Sequence, residues 1–153
     1  MRSDLKEGQQ MNRFWRIAPW LTRFMLIPPT VIFALIASRY LFSPVQTGAG
    51  IGLAFHAPVA ITIVRVGFGG FPLACAIFTL SCLASRRRVL IGLGFVAIVM
   101  ACALCVRVFG MFTDGSVHES MGLVRAEGVM LVIFVASIFI ERARRNLQVS
   151  VAD

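Results

Sequence analysis

The chain has 153 residues, 58% of them hydrophobic and only 14% charged, with a net charge of +8, a pI near 11.0 and a mean hydropathy of +0.84. Soluble domains run near half apolar and a quarter charged, so water is the wrong solvent for this sequence. Such a basic balance would suggest nucleic acid in a soluble protein, but here Lys and Arg gather at the ends of apolar runs, which points to membrane flanks and excludes nucleic acid as the partner.

Residues 1–22 form a polar, basic leader in which Phe14, Trp15 and Trp20 alternate with Arg13 and Arg16. That mixture settles at a lipid headgroup boundary, and Met11 fits as an alternative start. The first apolar run, about 24–42, is long enough to cross the hydrocarbon as a helix at about 1.5 Å per residue. It is longer than a signal-peptide core and lacks an A-x-A-like exit, so it is expected to be retained. Pro28-Pro29 predicts a kink or a late helix start, because two consecutive residues have no amide to donate.

Residues 43–58, with Pro44, Gly48, Gly50, Gly52 and Pro58, read as a surface-lying connection. The second span, about 59–83, is interrupted by Arg65, by Gly67, Gly69 and Gly70, and by Pro72. A tight basic turn ends at Arg88, and the third span, about 89–109, carries Arg107 near its far end. Thr113-Asp114-Gly115-Ser116 is a strong turn signal. The fourth span, about 121–140, contains Glu127 and is followed by basic residues and a tail at 146–153.

The expected fold class is all-α, a transmembrane four-helix bundle occupying 23–145 as one domain. The N-terminal flank, the turn at Arg86–Arg88 and the C-terminal flank together carry eleven Lys and Arg residues, and the opposite connections very few. The positive-inside rule makes the eleven-residue side cytoplasmic, and an even number of spans then puts both termini there.

A charge inside a span costs about 2.5 to 3.5 kcal/mol at the helix centre, so it needs a partner or a polar cavity. Arg65 lies six residues in from the outer end of span two, roughly 9 Å deep, and Glu127 reaches a similar depth; Arg107 is about a turn shallower, and Asp114 adjoins it in the outer connection. An outward-opening polar pocket lined by Arg65, Arg107, Asp114 and Glu127 is expected. Two readings of it stand: mutual neutralisation that fixes helix register, or a binding site whose arginines hold an anionic or carbonyl-bearing ligand while Glu127 balances charge or shuttles a proton.

Gly67, Gly69 and Gly70 are expected to let a neighbouring helix approach closely, with Gly69 on the helical face of Arg65. Cys102 and Cys105 form a C-x-x-C inside span three, but with only Cys75 and Cys82 as further thiols a metal site is not expected. His56 and His118 fall in outer connections without a metal-ligand spacing. No cofactor is expected.

The ordered landmarks are Ser43-Pro44 closing the first helix, Arg65 followed by Gly69-Gly70, Arg107 before Asp114-Gly115, and Glu127 in the last helix. Across about 24–142 this order resembles a family of small uncharacterised bacterial membrane proteins with four helices, known only as a domain of unknown function. The resemblance implies a bacterial inner membrane and no established activity. The expected function is binding of a small amphipathic or anionic ligand in the outward-facing pocket, without enzymatic chemistry. The alternatives are an accessory or assembly subunit of a larger membrane complex, and a small membrane isomerase or oxidoreductase using Glu127 as acid or base. The partners expected are the lipid bilayer, that ligand, or other membrane subunits.

Overall fold

The structure is a computed structural model and describes residues 20–85, 87–115 and 117–150. The greater part of the basic leader, Arg86, Ser116 and the end of the tail lie outside the described residues. The described residues are 87% helical, and no strand occurs among them. Four helices are long and apolar enough to cross a membrane: Trp20–Phe42, Pro58–Ala84, Val89–Thr113 and Ser120–Asn146. The fold class is all-α, consistent with a transmembrane four-helix chain. Contacts divide the chain into two units, Leu26–Ser85 and a second one made of residues up to Met25 together with Arg86–Asp153.

The boundary between the units falls at an interruption of the first span. Residues 20–24 are helical, 25 and 26 form a turn, and α1 (Ile27–Phe42) starts afresh with prolines in its first turn. Pro28 and Pro29 have no N–H to give the carbonyls of Phe24 and Met25, so the ladder lapses there until the Thr30 amide reaches Leu26 O at 3.3 Å. The late start foreseen at the double proline is therefore present.

In the Leu26–Ser85 unit, α1 is followed by a short helix α2 (Pro44–Ala49), then α3 (Pro58–Val64), a π-helical segment (Arg65–Gly70) and α4 (Phe71–Ala84). The connection at 43–58 thus contains a helix where a loop was expected. Pro44 sits in the first turn of α2, where its missing amide costs nothing, and the Thr47 hydroxyl donates to Ser43 O at 2.8 Å. The π segment has a local cause too. Pro72, in the first turn of α4, cannot donate to a carbonyl one turn back and its ring crowds it, and the glycines at 67, 69 and 70 let the backbone widen at little steric cost.

Helix α1 runs antiparallel to the π segment and α4, and three contacts set the register. Thr30 donates to the Thr79 hydroxyl at 2.9 Å, Tyr40 and Phe68 stack with ring centroids 5.3 Å apart, and Leu41 covers Gly69. A Cβ on Gly69 would stand 3.0 Å from Leu41 Cγ and 3.3 Å from the Leu41 amide nitrogen, whereas one on Gly67 or Gly70 would meet nothing within 4 Å. The small-residue packing expected of three glycines is therefore concentrated in one. Gly69 is buried and Arg65, four residues before it, is exposed.

The second unit contains the hairpin of α5 (Val89–Thr113) and α6 (Val117–Ser150), which pack along each other. Its turn passes through Asp114 and Gly115, whose φ of +68° is open to glycine at no steric cost. Buried positions recur at helical spacing, Val89, Leu93, Val96 and Ala97 on α5 and Phe134, Ser137 and Glu141 on α6.

Gly69→Val is expected to lower stability by about 1 to 3 kcal/mol through overpacking against the α1 backbone, while Gly67→Val in the same segment changes it by less. Thermal unfolding of the two detergent-solubilised variants, followed by size exclusion, checks the contrast.

Candidate functional site

The α5–α6 hairpin carries one charged contact toward each of its ends. Near the turn, the Arg107 guanidinium grips Glu127 with both faces of its fork, Nε donating to Oε2 at 2.9 Å and Nη2 to Oε1 at 2.6 Å. The two side chains are 32% and 15% exposed. This pairing follows from the chain reversal between α5 and α6: Arg107 stands ten residues before Val117, the first residue of α6, and Glu127 ten residues after it, so the two come level. At the opposite end, Arg145 Nη2 donates to Arg87 O at 3.1 Å in nearly the same register. Arg87 and Arg107 are about 30 Å apart along α5 at 1.5 Å per residue, close to the thickness of a hydrocarbon core.

The far cluster centres on Glu141, which is 1% exposed. Arg144 donates to it from Nε and Nη2 at 3.0 and 2.7 Å, Arg145 Nε donates at 2.9 Å, and the Thr22 hydroxyl donates at 3.3 Å from a residue 119 positions away. Glu141 thus ties the helical residues 20–24 to α6, and Arg145, which it holds, ties α6 to Arg87 just before α5. Reading residues 141–145 only as a basic surface missed this role. The signal was present: Glu141 stands three and four residues before Arg144 and Arg145, the spacing at which helical side chains meet.

Asp114 is the C-cap residue of α5, exposed, with its Oδ1 accepting from the Thr113 hydroxyl at 3.3 Å. Of the residues read from sequence as one pocket, the structure therefore brings Arg107 and Glu127 together and leaves Asp114 at the turn. Arg65 belongs to the other unit.

That unit has a different electrical character. Residues 26–85 contain two arginines, Arg39 and Arg65, and not one Asp or Glu. Arg65, the first residue of the π segment, is exposed, and its guanidinium makes no hydrogen bond or ion pair among the described residues. It lines an open cleft of about 380 Å³ with Phe42, Ser43, Val45, Gln46 and Ile61. An adjoining cleft of about 520 Å³ shares Ser43 and Gln46 and is lined by Arg39 and Thr47. Comparison with family models, curated proteins and solved structures gives no match.

The chemistry of each place follows from its donors. In the hairpin, Glu127 occupies two of the five donors of Arg107, and the other three have no partner among the described residues. In the 26–85 unit all the charged groups are donors, so the clefts favour an anion or a carbonyl over a cation. His56 and His118 are exposed, as are Cys102 and Cys105, while Cys75 and Cys82 are buried thiols.

Glu127→Gln or Arg107→Gln alone is expected to destabilise the protein by about 1.5 to 3 kcal/mol, since each strands one half of a charge-assisted pair. A double replacement by Met should recover most of that loss, as apolar pairs commonly do in place of buried ions. A double-mutant cycle on detergent unfolding checks both; additive losses would mean that the pair is not coupled.

Proposed function

We propose that this is a multi-pass protein of the bacterial inner membrane, with both termini in the cytoplasm, which binds a small amphipathic or anionic molecule at the outer ends of its spans. The eleven basic residues on one side support the sidedness, and the order of Ser43-Pro44, Arg65-Gly69-Gly70, Arg107-Asp114 and Glu127 supports a bacterial membrane through the family it resembles.

The binding reading rests on Arg65. A guanidinium within an apolar span is costly unless something neutralises it, and its own unit offers no carboxylate. A ligand carrying negative charge or a strong acceptor satisfies that demand. The role is recognition rather than catalysis, because a guanidinium keeps its proton throughout the physiological range and acts by orienting and neutralising what it binds. The Arg107–Glu127 pair fits a supporting role, holding the α5–α6 hairpin in register with both charges already matched.

A second reading, a subunit of a larger membrane complex, is favoured by α6: only 11% of its most apolar window is buried, against 28% in each of the other spans. Lipid covers such a face as well as a partner does, so the binding reading is the one put to the test. Native mass spectrometry of gently extracted protein is expected to show a bound small molecule that Arg65→Leu loses while the fold is kept. An identical set of bound masses in both proteins contradicts the proposal.

A further inference from the structure

Building on the binding role of Arg65, we infer that its ligand is the phosphate of an anionic phospholipid, held between Arg65 and Arg39 at the corner where α1 meets α2. The register of the Leu26–Ser85 unit places both arginines there. Thr30 meets Thr79 and Leu41 meets Gly69, so one turn farther on Arg65 comes beside Ser43 and Pro44, which is where its cleft lies. Arg39 stands one turn before the same corner, on the side of Thr47.

Depth supports a headgroup. From Arg65 to Ala84 the helix runs about 28 Å at 1.5 Å per residue, nearly the full thickness of a hydrocarbon core, so with Ala84 at one boundary Arg65 lies at the other, where a side chain of its length reaches the headgroups.

The lining distinguishes a lipid from a free anion. Around Ser43 and Gln46 the groups on offer are two guanidinium forks, the Ser43 hydroxyl and the Gln46 amide, and none of them is engaged by another side chain among the described residues. Guanidinium groups match the oxygens of a phosphate through paired, charge-assisted hydrogen bonds. On its other side the Arg65 cleft is apolar: Phe42 is 83% exposed, and Val45 and Ile61 complete a hydrocarbon wall. Phosphate at one edge and alkyl chain at the other describe an amphiphile. A zwitterionic headgroup brings its own ammonium to a unit that already has two unmatched cations, whereas an anionic headgroup does not, so charge selects between them.

Delipidated protein in a neutral detergent, titrated by native mass spectrometry, tests this with defined probes. Dioctanoyl phosphatidylglycerol is expected to bind at least about tenfold more tightly than dioctanoyl phosphatidylethanolamine, and more tightly than glycerol phosphate or inorganic phosphate. Arg39→Gln and Arg65→Gln should each weaken the phosphatidylglycerol complex about tenfold or more, with Arg142→Gln, an exposed arginine that does not line either cleft, leaving it unchanged. Equal binding of the two lipids, or indifference to both arginines, overturns the inference, and the wild-type lipid comparison decides even where a variant fails to fold. Tight binding of inorganic phosphate would give a phosphate site without a lipid and overturn the lipid assignment. A co-purified molecule that depends on Arg65 but is not displaced by phosphatidylglycerol would overturn this inference and leave the binding function standing.

Discussion

A guanidinium cannot lose its charge, and hydrocarbon cannot solvate it, so each arginine in a membrane-spanning helix must find a counter-charge, water or a headgroup. This chain meets that demand differently in its two units. The stretch from Arg86 onward carries its own carboxylates, and it uses Glu127 for Arg107 and Glu141 for Arg144 and Arg145. The stretch from Leu26 to Ser85 carries none, so Arg39 and Arg65 have to be answered from outside that unit.

The backbone is arranged to suit. Two prolines reset the first span at Ile27, a third opens the short helix α2 at Pro44, and a fourth at Pro72 is accommodated by a π turn that begins at Arg65. π turns are uncommon and recur at functional sites. Here the π segment begins at Arg65, exposed at the Ser43–Pro44 corner, and includes Gly69, which packs on Leu41. In the α5–α6 hairpin, the Arg107–Glu127 pair and the bond from Arg145 to Arg87 O hold the chain near either end, with a long apolar stretch between them.

Much of this can be read without coordinates, and the rest is lost for identifiable reasons. Apolar runs of twenty residues announce four spans because nothing else in water-exposed chemistry requires them, and Pro28-Pro29 announces a break because two amides are missing. The partner of Glu127 was less accessible. Counting its depth from Met121 set it level with Arg65, whereas α6 begins at Val117 and the turn at Asp114-Gly115 brings Arg107 opposite. Helical spacing put Gly69 and Arg65 on one face, but the glycine is buried against Leu41 and the arginine is exposed. The clefts beside Ser43 depend on a helix in a segment whose prolines and glycines read as a loop. Glu141 was visible in its spacing to two arginines, but its burial, and its bond to Thr22, depend on the tertiary fold.

The central claim is that Arg65 is neutralised by a phosphate from the bilayer and not by a carboxylate of the chain. Solid-state NMR on protein with nitrogen-labelled arginine in phosphatidylglycerol-containing bilayers addresses it directly, by reporting which guanidinium nitrogens lie close to phosphorus. The account predicts nitrogen–phosphorus dipolar coupling of which a distinct part is lost in Arg65→Gln and in Arg39→Gln and kept in Arg107→Gln, above the coupling from the basic flanks. Coupling unchanged by loss of Arg65, or an Arg65 guanidinium found against a side-chain carboxyl carbon, would contradict it.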